Sequence, residues 1–248
     1  MIAEERTMGL FDHIKELRQR LFRSIVVWIV ATVAATMFVD QLISWLVAPA
    51  KAAGSNVSII ITSPPQGAII YFQVALAAGF AIVLPYLLWE IYRFMAPGLY
   101  KNERTVFVVG IPAVFIFFIM GAIFTLALLI PTSLPVLMGF LGDVVEPMYM
   151  LESYLSFVTT LVMWMGLIFQ TPLIVFLVAR LGLVSPKQLA GARKMVWFLA
   201  VVFAAIITPT TDPVTLLLVT GPFIALYEIG LLFSHVAVRH RKNDNPED

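Results

Sequence analysis

An all-helical (all-α) integral membrane protein with six transmembrane helices is the fold class this sequence predicts, and three observations carry the reading. Hydrophobic residues fill 60% of the 248 positions and charged residues only 12%, where a soluble domain carries about 25% charged. The apolar residues fall into long runs, and a bilayer core of about 30 Å takes roughly 20 of them as a helix. The basic residues crowd one set of the loops between those runs, a bias that orients membrane proteins. One soluble core could not hide so much apolar surface.

The N-terminal stretch, MIAEERTMGLFDHIKELRQRL, is acidic and basic by turns and has no short apolar core. No cleaved signal peptide is read there, and insertion is expected to rest on the first span. Within it Leu10, Ile14, Leu17 and Leu21 recur at helical spacing, while Asp12, Lys15, Glu16, Gln19 and Arg23 lie largely off that stripe. The pattern predicts an amphipathic N-terminal helix at the interface, and periodicity alone assigns it nothing beyond anchoring to the membrane surface.

Six apolar runs follow, at about 22–39, 68–92, 105–130, 155–181, 195–207 and 214–233, and together they make a single polytopic membrane domain over 1–248. The last two form a tight hairpin through Thr208-Pro-Thr-Thr-Asp-Pro213, either as two crossings or as one re-entrant pair. Either way both chain ends lie on one side. Arg6, Lys15, Arg18, Arg20, Arg23, Arg93, Lys101, Arg104, Arg180, Lys187, Arg193, Lys194, Arg239, Arg241 and Lys242 all fall on that side, against Lys51 alone on the other. That side, with both termini, is therefore expected to be cytoplasmic. The opposite loops hold an amphipathic stretch (DQLISWLV), turn signals at AGSN and SPPQG, and a segment from Pro131 to Tyr154 rich in Pro, Gly and acid. They are too short for separate domains and are expected to cap the helix ends. The spans differ in length and polar content, unlike the internal repeats of many secondary transporters.

Chemistry is sparse. Glu90 and Glu228 sit near the basic ends of their spans, where they are expected to reach water. Gln170, in LIFQTP, is the uncharged polar residue that stands out at mid-depth. It either bonds carbonyls freed by Pro172 or pairs with a polar group on another helix, and the two roles are compatible. There is no cysteine, the three histidines lack partners at metal-ligand spacing, and the GxxxxGK[ST] phosphate loop does not occur. No enzyme, cofactor, metal site or nucleic-acid partner is expected. Two function classes remain at this point: a subunit driven by partners or the membrane potential, and a small-solute secondary transporter.

Two segments on the basic side separate them. His13-Ile-Lys-Glu-Leu-Arg-Gln-Arg-Leu21 resembles the H-L-x-E-L-R-x-R-L signature of the TatC family, and Phe94-Met-Ala-Pro-Gly-Leu-Tyr-Lys-Asn-Glu-Arg104 resembles its F-x-x-P-G-L-x-x-x-E-R loop. Their order, their separation by one hairpin and the six-span topology fit as well. The resemblance implies a core subunit of the twin-arginine translocase in the bacterial cytoplasmic (inner) membrane. Such a subunit receives signal peptides bearing two consecutive arginines and takes part in export of folded proteins driven by the proton-motive force. By position, the signal-peptide site falls on Glu16 and Glu103, with Arg18, Arg20, Phe94, Pro97 and Leu99 completing the two motif surfaces. The chemistry suits the task, because a guanidinium meets a carboxylate in a bidentate fork. In the resting protein Glu16 is expected to pair with Arg20 at i,i+4. Implied partners are the single-span subunits TatA and TatB, further copies of the chain, and lipid, with Gln170, Thr208 and Asp212 as partner-helix contacts. The chain departs from the family's pattern at three places. Gln170 stands for a usual glutamate, Asp212 is displaced by one residue from the family's T-P-x-D, and Gln66 replaces a glutamate before the second span.

Overall fold

A computed structural model describes residues 10–53, 58–96, 101–139, 148–208 and 212–244. Helix α1 (Leu10–Ala35) runs without a break from the amphipathic stretch into the first apolar run. The anticipated surface helix is thus the opening of one long rod rather than a separate element. A 3-10 turn (Thr36–Phe38) leads into α2 (Val39–Ala53), which contains the DQLISWLV segment. Strand β1 (Ser58–Ile60) precedes α3 (Pro64–Met95), and α4 (Lys101–Phe124) returns through a π-turn (Thr125–Leu129) into α5 (Ile130–Gly139). Strand β2 (Met148–Met150) is followed by α6 (Leu151–Ile168) and α7 (Thr171–Arg180). The chain closes with α8 (Pro186–Gly191), α9 (Arg193–Ile207) and α10 (Pro213–Asp244).

Among the described residues five helical segments are long and apolar enough to cross a membrane: His13–Ala52, Pro64–Met95, Gly110–Leu137, Leu151–Arg180 and Pro213–His235. The remaining expected crossing, the fifth run at 195–207, is α9, whose 15 residues span only about 22 Å at 1.5 Å per residue. Two other runs differ from expectation. The third continues past 130 through Pro131 and Pro135 to Gly139, because the π-turn and buried Thr125, bonded to the Gly121 carbonyl at 2.9 Å, carry the helix onward. The fourth is interrupted at Phe169–Gln170, since Pro172 has no N–H to give the Ile168 carbonyl. The Thr171 hydroxyl bonds that carbonyl instead, at 2.6 Å.

Local chemistry marks the ends. SPPQG, which reads as a turn, is the start of α3: the Gln66 Oε1 accepts from the N–H groups of Thr62 (2.8 Å) and Ser63 (3.3 Å). Ser185 and Gln188 form a reciprocal capping box on α8. Helix α7 ends at Gly182, whose φ of 70° lets Leu183 N–H return to the Val178 carbonyl and Gly182 N–H to that of Ala179.

The main core lies toward the end opposite the basic loops. Val39 and Ala50, Ile70 and Val74, Leu129 and Ile130, and Leu155, Leu161 and Met165 bury there against Ala204 and Val219. Val175, Tyr227 and Leu231 form a smaller cluster between α7 and α10 near the other end. With no hydrophobic gain between helices in lipid, small residues set how closely backbones approach. At Gly79 an added methyl would sit 2.4 Å from Thr32 Oγ1 and 2.7 Å from its Cα, so α1 and α3 touch backbone to backbone. Gly121 plays the same part against the Met165 carbonyl, joining α4 to α6. Tyrosine hydroxyls tie the capped end together, Tyr71 to the Thr36 carbonyl and Tyr154 to that of Leu46. Strands β1 and β2 pair in parallel, Ser58 with Met148 through Ile60 with Met150. A three-residue pair leaves too short a period to be read from sequence.

Candidate functional site

The antiparallel packing of α1 on α3 brings the first motif against the last turns before the second. Arg20 is the centre. Its Nε donates to Glu16 Oε1 at 3.0 Å, and its Nη2 also bonds that oxygen. The expected i,i+4 pair is therefore present. The same guanidinium reaches across to α3, where Nη1 donates to Glu90 Oε2 at 2.9 Å and Nη2 to the Arg93 carbonyl at 3.3 Å. One arginine thus joins two carboxylates on two helices. His13 stacks on Phe94 with ring centroids 4.2 Å apart and an interplanar angle of 24°, a second bridge between the motifs.

Glu90 corrects the expectation of a water-facing residue. Its side chain is 5% exposed, against 23% for Glu16 and 14% for Arg20. Its other oxygen, Oε1, accepts from the Tyr86 hydroxyl at 2.8 Å, so both oxygens are engaged. A carboxylate can be buried here because a guanidinium and a phenol meet it. The spacing Tyr86-x-x-x-Glu90-x-x-x-Phe94 puts all three on one helical face, the signal in the sequence that could have found it. Continuity of α1, which carries Arg20 to that face, was not legible.

The structure unites Glu16, Arg20 and Phe94, with Arg18 exposed close by on the same helix. Pro97 and Leu99 lie outside the described residues, and of Glu103 only the backbone, in the first turn of α4, is described.

The three expected partner contacts stand elsewhere. Gln170 is buried, and its amide nitrogen donates to the Gly166 carbonyl at 3.0 Å and, across to α4, to that of Val114 at 3.2 Å. The cross-helix pairing is present, with its partner inside the chain, whereas the carbonyl taken in its own helix is that of Gly166 and not the Ile168 carbonyl freed by Pro172. The Gln170 N–H has moved to the Leu167 carbonyl, which is why Gly166 needs the side chain. Its Oε1 is buried without a partner among the described residues. Thr208 and Asp212 cap the hairpin: the Thr208 hydroxyl bonds the Ala204 carbonyl at 2.9 Å, and Asp212 Oδ1 accepts from Thr215 N–H at 2.7 Å. Asp212-Pro213, an N-cap before proline at the first helical position, is a start signal that the sequence carries.

On the basic side Arg193 pairs with Glu228 at 2.9 Å, holding α9 to α10. An apolar groove of about 750 Å³ opens where Phe38, Trp45, Ala78, Phe115, Ile119 and Met163 converge. Among the described residues no cluster of histidine and acid is placed to hold a metal ion.

The profile of the family described as "Sec-independent protein translocase protein (TatC)" matches residues 12–222. A protein of that description from Aquifex aeolicus is 32% identical over 237 residues, 95% of this chain and 98% of its own length. One from Deinococcus radiodurans is 34% identical over 234 residues, 92% of this chain and 86% of its own. Among solved structures, a crystal structure of the twin arginine translocase receptor TatC superposes with a TM-score of 0.81 at 32% identity. It covers 92% of this chain and 100% of that one.

Proposed function

Because the chain belongs to the TatC family of Sec-independent protein translocase proteins, we propose that it is the subunit receiving twin-arginine signal peptides. Glu16 and Glu103 are the arginine-binding carboxylates of this reading, and Arg18, Arg20, Phe94, Pro97 and Leu99 shape the surface around them. The family is one of membrane translocase proteins rather than enzymes, so the work consists of recognition and passage. In this reading the chain crosses the bacterial inner membrane six times, both termini face the cytoplasm, and export of folded proteins draws on the proton-motive force. TatA and TatB are its single-span partners and further copies of the chain its neighbours, and Gln170, Thr208 and Asp212, buried within this chain, support from beneath the surfaces that meet partner helices. Family membership sets the small-solute transporter aside.

One observation supports the assignment above others: Glu16 already holds a guanidinium, that of Arg20, where the two motifs meet. A carboxylate at 23% exposure that engages one arginine has the chemistry and the access to engage another. The test is capture of a twin-arginine peptide by purified protein, compared with the same peptide carrying two lysines. Wild type is expected to hold the arginine form and ignore the lysine form. Glu16→Gln and Glu103→Gln should each lose about 10- to 150-fold in affinity, the equivalent of about 1.5–3 kcal/mol for a hydrogen bond to a charged group. Equal capture of both peptides by wild type, or undiminished capture by both variants, sinks the reading.

A further inference from the structure

Glu90 is the group at this site that the motif does not account for. Three facts about it stand together. It is too buried to meet a peptide, both its oxygens are already bonded, and one of those bonds goes to the guanidinium that also occupies Glu16. Arg20 is therefore a competitor of any arginine arriving at Glu16, unless something else holds it. Resting on the proposed peptide reading, we propose that Glu90 is a positioning residue for signal-peptide recognition: it retains Arg20 when an incoming guanidinium takes over Glu16.

The geometry allows the exchange without stranding a charge. Arg20 keeps Nη1 on Glu90 and Nη2 on the Arg93 carbonyl after it gives up Glu16. Glu90 stays compensated, and the Tyr86 hydroxyl on Oε1 fixes the carboxylate so that Oε2 faces Arg20. Glu16 is the exposed member of the set and the one that can change partners. With Glu90 neutral, Arg20 would have only Glu16 for a counter-charge. It would then hold that residue closed against the peptide.

The experiment measures twin-arginine peptide affinity for full-length protein in wild type, Glu90→Gln, Tyr86→Phe and the double variant Glu90→Gln/Arg20→Gln. Each protein is first checked for a single monodisperse species. Glu90→Gln should weaken binding about 10-fold, corresponding to about 1.4 kcal/mol. Tyr86→Phe, the milder change, should shift it the same way by less. The double variant should regain much of the loss, because the competitor has gone and Glu16 is free. A purely structural role for Glu90 would give no such regain. If wild type discriminates arginine from lysine and Glu16→Gln loses affinity as expected, yet Glu90→Gln and Tyr86→Phe bind as wild type, the positioning role is wrong and the site stands. Failure of the double variant to regain affinity overturns it too. Loss of discrimination in wild type overturns both.

Discussion

The Gln170 amide serves two carbonyls at once, one in its own helix and one in α4. Only a donor can do that. Gln170→Leu removes both bonds from a buried position, and each such contact in a membrane protein averages about 0.6 kcal/mol and reaches about 2. A loss of about 1–3 kcal/mol is expected, read as a lowered unfolding temperature in detergent. Gln170→Glu, whose protonated carboxyl has a single O–H, can keep one of the two bonds and should fall between wild type and the leucine variant, and lower still where it ionises. A leucine variant as stable as the parent would show that these bonds contribute nothing net. Sequence made Gln170 visible because Pro172 follows it, and it left the neighbouring helix unnamed because Val114 offers only backbone. Glu90 was misread for a related reason. Nearness to a span end says how far water is along the helix axis, and nothing about which neighbour covers the side chain.

Helix by helix, the apolar runs were legible and their joints were not. A run cannot show that α1 continues straight through the interface, or that α4 continues past two prolines, because both depend on what packs alongside. The contact of α1 with α3 depends on Gly79, where a methyl would overlap the Thr32 backbone. Gly79→Ala should push the two helices apart at a cost of about 1–3 kcal/mol, whereas Gly191→Ala, which meets open space, should be neutral. Equal unfolding temperatures for the two variants would contradict the close contact. Helix α9 raises a different matter, since its length falls short of a bilayer core by about 8 Å. We expect the bilayer to thin locally beside it. Spin labels at Val201 and Leu217, both lipid-accessible by exposure, should then report more water and less oxygen than a label at Ile116 in α4. Matching profiles at all three would mean that neighbouring helices shield α9.

At the scale of the whole molecule, charge and topology make one statement. In the proposed six-crossing topology, fifteen of the sixteen lysines and arginines fall on the side that would hold both termini, the expected cytoplasmic side. The absence of native cysteine makes the orientation directly measurable. A single cysteine at Lys187 should react with an impermeant maleimide only in inverted vesicles, and one at Gln41 only in intact cells. The reverse pattern would invert the topology and remove the site from the cytoplasm. This asymmetry was open to sequence because it is a tally of residue types along the chain. The small sheet was not, being a meeting of two short segments, Ser58 and Met148, that stand 90 positions apart. That separation has a consequence for how the protein comes to be. Strand β1 emerges early and must wait, its backbone polar groups hydrated, until the α4–α5 limb has been threaded and β2 delivered beside it. Non-local pairings close late because the intervening chain must first be ordered. The ladder is therefore a latch on biogenesis: it can click shut only on a chain whose earlier crossings already lie in the right order.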